Sequence, residues 1–346
     1  MKLREKNRRW RRNRRIKSLL YDGFASSLRQ ADVRLDRPKL SFSRSGACPL
    51  DATFTREKTG KLAVDFSGPE PDLLVNHVMG KIAPYLYWLV HCPREIERIT
   101  VNMSDGEFPS AAMFAPSSAD PAQILLPDPY FFSFRGFEAY RALSESEARP
   151  WSERSPVIRW RGNYYSQGRI SFSNEAMYDP TVLQRLRFLM IARQIANVDV
   201  GFVDSGTVWL NRVFEQHGYK AARIPETDWI NDKFAIDIDG WTNTWSNMLA
   251  RMHFGCCVLK VGTQFGFRQW YYDSLKPWEH YVPVRSDMSD LARQVDWVRS
   301  NPGPAEEIAR NGQVFARSMT FASETLRAAE IITGALRGGA EHAKAA

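Results

Sequence analysis

The sequence predicts an α/β protein of two domains. Its 346 residues exceed what one ordinary core uses and suit two domains of ~150 residues each. Hydrophobic residues make up 44% and charged residues 25% of the chain, a globular composition. Beyond Pro156, short β-branched runs alternate with amphipathic helical stretches. That alternation implies a parallel sheet with helices on both faces.

The chain opens on a basic arm, residues 1–35. Residues 1–17 hold ten Lys/Arg and one acid, Glu5, a local charge of +9; subtracting it from the chain's +8 leaves −1 for the other 329 residues. The high pI therefore describes the arm and not the body. Such an arm reads as a solvated disordered tail, or as a surface for anionic lipid or nucleic acid. Trp10 suits a membrane interface, and the near-neutral body argues against nucleic acid.

A first domain spans residues 36–150. Residues 52–66 alternate around Lys58-Thr59-Gly60-Lys61 and predict a hairpin. Helical periodicity over 72–90 follows Pro69-Glu70-Pro71, a helix-start pattern. A strand over 98–103 ends at Ser104-Asp105-Gly106, and another over 123–126 ends at Pro127-Asp128-Pro129. The polar stretch 144–155 reads as a linker.

A second domain spans residues 151–320, with strands expected at 157–160, 198–203, 234–238, 256–261 and 281–284. Helices are expected at 180–195, 242–253 and 289–298, and residues 321–346 form a C-terminal helix and tail. Neither an apolar leader after the basic run nor a membrane span is visible; the most apolar window, 73–92, is broken by Asn76, His77, Lys81 and Pro84. Cys48, Cys92, Cys256 and Cys257 lack metal-ligand spacing and read as reduced core residues of a cytoplasmic protein. Neither GxGxxG nor GxxxxGK[ST] occurs, so a bound nucleotide is held in some other way.

Several clusters could carry chemistry. Asp105-Gly106 is a common turn pairing, yet a carboxylate just past a strand's carboxyl end also faces the ligand crevice of an α/β domain; Glu107 is its neighbouring rival. Arg161, beside Gly162, is suited to bidentate phosphate contacts, with Arg159 and Arg169 as competitors and a surface salt bridge as the plain alternative. Residues 239–246, DGWTNTWS, form a strand-to-helix turn whose free N–H groups would face an anion if a helix opens near Thr242. Asp237-Ile238-Asp239 places two carboxylates on one strand face, which leaves a metal site as a minority reading. Residues 275–284, LKPWEHYVPV, follow Trp270-Tyr271-Tyr272-Asp273, and their two prolines frame a rigid extended segment.

Five ordered blocks resemble glycosyltransferase family 90, which includes the Rumi-type protein O-glucosyltransferases and the fungal capsule-associated xylosyltransferases. They are Val101-Asn102-Met103-Ser104-Asp105; Pro150-Trp151 with Arg154 leading to Arg159-Trp160-Arg161-Gly162; Lys233-Phe234 through Asp239-Gly240 with Asn243, Trp245 and Ser246; residues 255–260; and residues 270–284. Glu307-Ile308-Ala309 with Gly312 and Phe315 resembles the helix that follows.

The resemblance implies a GT-B architecture, two Rossmann-like domains facing across a cleft, with residues 36–150 on the acceptor side and 151–320 holding a UDP-sugar. It implies Asp105 as general base of an inverting, metal-independent transfer. Donor-binding residues would be Arg161, Gly162, Asp239, Gly240, Asn243, Trp245, Ser246, Lys260 and Gln269, with Trp278 and His280 shaping the pocket. Two departures stand out. Animal relatives carry an arginine near Ser246 or Asn247, for which Arg251 or Lys260 would substitute here. Many relatives have an acidic residue near Gln269, where the ribose is commonly held. The expected activity is transfer of glucose or xylose from a UDP-sugar to a glycan or lipid-linked glycan acceptor, such as lipopolysaccharide or capsule, with residues 1–17 on an anionic membrane face. The rival readings are a non-catalytic sugar-binding module of the same fold and a nucleic-acid-binding protein using the arm.

Overall fold

The computed structural model describes residues 2–345, with side chains described for residues 7–338. By its internal packing the chain divides into two units. The first comprises the chain up to Gly136, Arg268–Trp270, and everything from Thr320 on; the second comprises Phe137–Phe267 and Tyr271–Met319. The division falls at Gly136 and not near 150, and both terminal segments belong to the first unit.

The first unit begins with α1 (Lys2–Ala31), so of the readings offered for the basic run the disordered tail is set aside. Ile16, Leu20, Phe24, Ser27 and Ala31 are buried, a stripe at helical spacing that gives the basic segment a face to pack. Gly23 permits the close approach: a Cβ there would lie 3.0 Å from the Gly80 backbone nitrogen. Next come β1 (Lys39–Phe42), β2 (Asp51–Arg56) and β3 (Leu62–Phe66). β2 and β3 form the expected antiparallel hairpin, and β1 lies parallel to β3. The single helix expected over 72–90 is two, α2 (Leu73–Val78) and α3 (Ile82–His91). Gly80, at φ +85°, makes the break. Pro84 then sits in the first turn of α3, where a missing N–H costs little.

β4 (Arg98–Asn102), β5 (Phe114–Ala115), β6 (Ile124–Leu125) and α4 (Pro129–Ser133) complete this stretch. The sheet order is β1-β3-β2-β4-β5-β6, with β2 antiparallel to both β3 and β4. This mixed sheet corrects the expectation of a Rossmann-like first domain: β2 and β3 are joined by a tight turn, which imposes antiparallel pairing. Phe54, Phe66 and Phe114 on the sheet and Tyr85 and Trp88 on α3 are among the largest fully buried side chains, with the Phe54 and Tyr85 rings 5.7 Å apart.

The second unit contains α5 (Glu138–Glu147), β7 (Ser155–Gly162), α6 (Gln184–Ala192), β8 (Val198–Phe202), α7 (Val208–Gln216), β9 (Asp232–Asp237), α8 (Asn247–His253), β10 (Cys257–Val261), β11 (Val282–Val284), α9 (Leu291–Ser300) and α10 (Pro302–Ser318). Its sheet, β11-β10-β9-β7-β8, is parallel throughout, as the alternating sequence predicts. Ile158, Phe188, Phe202, Ile236, Leu259, Val282 and Val295 belong to one buried cluster. The chain leaves β7 for β8 on one side and returns to β9 on the other. The carboxyl ends of β7 and β9 are therefore the topological switch point, where open α/β sheets bind ligands. α11 (Phe321–Ala345) closes the chain and belongs to the first unit.

Candidate active site

In the second unit, the switch point is organised by Arg185, a residue the sequence reading passed over. Arg185 projects from α6 and donates through Nε to the Asp239 carbonyl (2.9 Å), through Nη2 to the Ile238 carbonyl (3.1 Å), and through Nη1 to both Asn163 oxygens (3.1 Å). One guanidinium thus ties the segment after β7 to the segment after β9. Burial pulls its pKa down to about 10, against the charges of Asp239 and Asp237. No local signal marked it, because an arginine in an amphipathic helix ordinarily reads as a solvated residue.

Beside it, Lys260 on β10 is paired in register with Asp237 on β9. Its Nζ donates to Asp237 Oδ2 (2.9 Å) and to Tyr272 Oη (3.2 Å), while Asn247 Nδ2 donates to Asp237 Oδ1 (2.7 Å). Burial alone would lower the Lys260 pKa, but Asp237 and then Asp239 overcome it and the net shift is upward. Asp237 is therefore committed to internal partners. Among the described residues no group of three or more His, Cys, Asp or Glu side chains converges.

Asp239 differs. It is 5% exposed, yet neither carboxylate oxygen has a hydrogen-bond partner among the described residues, and the same holds for the hydroxyls of Thr244 and Thr263. Burial pushes its pKa up to about 6; Lys260 opposes this, Asp237 adds to it, and Thr263 and Arg185 favour the anion weakly. A buried carboxylate with both oxygens idle is costly and calls for a partner from outside the chain.

The loop after Asp239 is tightly built. Gly240 donates to the Asn243 carbonyl (3.1 Å), and a Cβ at Gly240 would meet Arg185 Nη2 at 3.1 Å. Trp245 sits at φ +52°, a conformation rare for a bulky residue, and donates its N–H to Asn243 Oδ1 (2.6 Å). The helix expected from Thr242 starts instead at Asn247, and Ser246 makes no side-chain cap. The αL turn at Trp245 interrupts the helical run, so the helix start expected near Thr242 is corrected to Asn247.

Other expectations shift as well. Arg161 spends all five N–H groups inside the protein: Nε on the Ala222 carbonyl, Nη1 on the Trp160 and Asp199 carbonyls, and Nη2 on both Asp199 carboxylate oxygens, at 2.7 to 2.9 Å. It is a clamp between β7, β8 and the following loop, with no donor left for a diphosphate. Its rival Arg159 bonds buried Asp232 (2.5 Å), and Arg251, offered as a substitute cation, bonds Glu226 (2.7 Å). Gly162 is required by Trp160, whose ring would lie 2.5 Å from an added Cβ. Trp278, at φ +65°, packs edge-on against Trp297 (4.8 Å). His280 accepts the Lys276 N–H at Nδ1 (3.1 Å) and lies 4.8 Å from the Phe315 ring. Gln269 belongs to the first unit and donates its amide to Asp128 Oδ2 (2.6 Å).

In the first unit, β4 delivers Asp105. Asn102 Oδ1 accepts the Ser104 N–H (2.9 Å), Ser104 Oγ accepts the Gly106 N–H (3.0 Å), and Gly106 takes φ +107°. This turn presents the Asp105 side chain, 34% exposed. Lys81 Nζ, from the segment between α2 and α3, bonds Asp105 Oδ1 (2.5 Å) and the Met103 carbonyl (3.0 Å). Asp105 Oδ2 has no hydrogen-bond partner among the described residues. Nearby, burial pushes Asp128 up to about 6, opposed by the N–H groups of Phe131 and Tyr130, by Gln269 and by Lys81. Burial also raises the Tyr85 hydroxyl, with Asp128 and Asp105 adding to it, and that hydroxyl has no partner among the described residues. Glu107 lies 3.5 Å from His77 and keeps one idle oxygen.

Parallel sheet, switch-point cations and an idle buried carboxylate make the carboxyl ends of β7 and β9 the candidate site of this α/β unit. The model of Glycosyl transferase family 90 matches residues 136–325, more than half of the chain, and the chain belongs to that family. Human protein O-glucosyltransferase 3 is 30% identical over 100 residues, 29% of this chain and 19% of that protein. Protein O-glucosyltransferase 2 of Danio rerio is 42% identical over 91 residues, 26% of this chain and 18% of that protein. Uncharacterized protein 179R of Invertebrate iridescent virus 6 is 29% identical over 187 residues, 48% of this chain and 15% of that protein. The chain thus spans less than a fifth of each of these relatives. Among solved structures, Anabaena Alr3699/HepE in complex with UDP-glucose aligns with TM-score 0.34 and 11% identity over 52% of this chain and 49% of that one. Sucrose-phosphate synthase from Thermosynechococcus elongatus aligns with TM-score 0.36 and 12% identity over 57% of this chain and 49% of that one. No helix of the described residues is long and apolar enough to cross a membrane.

Proposed function

We propose that this chain is an inverting glycosyltransferase that moves a sugar, glucose or xylose, from a UDP-sugar to a glycan acceptor such as lipopolysaccharide or capsule. The reading is carried by Asp239, a buried carboxylate with two idle oxygens beside Lys260 and Arg185 at the switch point. Sugar or ribose hydroxyls donate hydrogen bonds, and an ionised carboxylate accepts them. Lys260, and the one guanidinium N–H of Arg185 without an internal acceptor, supply positive charge for the diphosphate without a metal ion.

Asp105 acts as the general base. Its free Oδ2 takes the acceptor hydroxyl proton as the acceptor oxygen bonds the anomeric carbon and the UDP oxygen leaves with its bonding electrons, inverting that carbon. Lys81, on the other oxygen, fixes the carboxylate's orientation through a charge-assisted bond. The acceptor is placed at the cytoplasmic face of an anionic membrane, toward which the basic half of α1 turns.

The test is UDP release from a panel of UDP-sugars, with and without EDTA, for wild type, Asp105→Asn and Asp239→Asn. The expected result is EDTA-insensitive release that falls ~100-fold or more in Asp105→Asn, and loss of donor binding in Asp239→Asn. Absence of binding by every UDP-sugar would overturn the transferase reading, and donor binding without turnover on any glycan would leave a sugar-binding module.

A further inference from the structure

The first half of α1 and strand β1 enclose a cleft of about 610 Å³. Three cation–ring pairs line it: the Arg14 guanidinium lies 5.5 Å from the Trp10 ring, Arg37 3.6 Å from Tyr21, and the Lys17 ammonium 5.6 Å from Phe42. No carboxylate lines the cleft. Among the described residues, none of these three side chains has a hydrogen-bond or ion-pair partner. Cations just outside are treated differently: Arg12 is paired with Asp72, and Arg44 donates to Asn13. Three charges left without counter-ions in one concavity, each held in place by a ring, form a receptor for an anion.

We propose that this cleft binds the phosphate headgroup of an anionic phospholipid and seats the first unit on the bilayer surface. The ring faces already carry the protein's own cations, so they are not open to stacking nucleobases. The rest of the chain sums to −1, so the excess positive charge that a long polyanion would reward is confined to the arm. A bilayer needs only a local cluster, and it rewards an exposed tryptophan beside it; Trp10 is 61% exposed. The inference rests on the membrane-facing part of the proposed function and not on sugar transfer.

The test is flotation of the full chain with phosphatidylcholine vesicles, with or without phosphatidylglycerol. Binding is expected only with phosphatidylglycerol, and the triple variant Arg14→Gln/Lys17→Gln/Arg37→Gln should weaken it roughly 100-fold. The matched control Arg8→Gln/Arg9→Gln/Arg11→Gln, which removes as many charges outside the cleft, should weaken it about tenfold or less. Arg14→Lys/Arg37→Lys should bind nearly as wild type, and melting curves show whether each variant is folded. Equal losses in the triple variant and the control would overturn the cleft in favour of diffuse attraction. Soluble glycerol phosphate that binds the chain but leaves it off vesicles would overturn the lipid, and single-stranded DNA binding lost in the triple variant would move the site to nucleic acid. Turnover of a UDP-sugar on a soluble acceptor should be unchanged in the triple variant, so failure of the cleft and failure of the transferase reading are told apart.

Discussion

Lys260 and Asp237 face each other across β10 and β9, with Nζ 2.9 Å from Oδ2, and the carboxylate is fully buried. Neither charge has water to turn to. Removing one partner strands the other, which typically costs 3–5 kcal/mol. Lys260→Met should therefore lower stability by about that amount, read from urea unfolding. Lys260→Met/Asp237→Leu should recover most of the loss, because no charge is then left unpaired. A single variant as stable as wild type would show that the pair is solvated.

Asp239 should act in the opposite direction. Its folded pKa is about 6 against an ordinary 3.8, so between those values the folded chain binds more protons than the unfolded one. Stability from this group is complete below pH 3.8 and is lost as pH rises through about 6. At neutral pH the penalty is on the order of 3 kcal/mol. Asp239→Asn should be more stable than wild type at pH 7 by up to about that much, and equal to it near pH 4, while losing donor binding. Thermal melts across this pH range check it. Asp128 and Asp232 are also pushed up to about 6, so a weaker slope of the same sign should survive in the variant. A variant less stable at neutral pH would mean that the carboxylate is satisfied in the folded chain.

Arg161 and Arg185 should separate stability from donor affinity. All five Arg161 N–H groups meet internal acceptors, and lysine cannot reproduce that fork. Arg161→Lys should cost roughly 1–3 kcal/mol of stability and move KM for the donor less than about threefold. Arg185→Lys loosens the tie between the β7 and β9 ends and should raise KM about tenfold or more. The reverse pattern in UDP-sugar kinetics would return the diphosphate to Arg161.

The second unit was legible because its βα alternation carries its own handedness and pairing rules, and β9, β10 and β11 fall within a residue or two of their expected places. The first unit was legible only in part: the β2–β3 hairpin carries a local turn signature, but the parallel pairing of β1 with β3 is a long-range choice without one. Asp105 past β4 and Asp239 past β9 were readable as strand-end carboxylates. Arg185, Lys81 and Asp128 were not, because their importance comes from what they face and not from their neighbours in sequence. Arg161 misled for the same reason: a guanidinium beside a glycine looks free until Asp199 on the adjacent strand is seen to claim it. The arm's charge concealed the spacing of Ile16, Leu20 and Phe24 that makes it a packed helix.

The Lys81–Asp105 pair gives a test of the chemistry. Asparagine at 105 keeps an oxygen for Lys81 Nζ and so preserves the turn, while removing the proton acceptor. Asp105→Asn should therefore melt within about 1 kcal/mol of wild type yet lose ~100-fold or more in kcat. Lys81→Met leaves the carboxylate in place but frees its rotation, so its loss should be smaller, about tenfold, confined to kcat with the donor KM unchanged. If Lys81 only braces the fold, Lys81→Met would lower stability and leave kcat intact. If turnover survives in Asp105→Asn, the base lies elsewhere, and Glu107, with its buried idle oxygen near His77, becomes the residue to change.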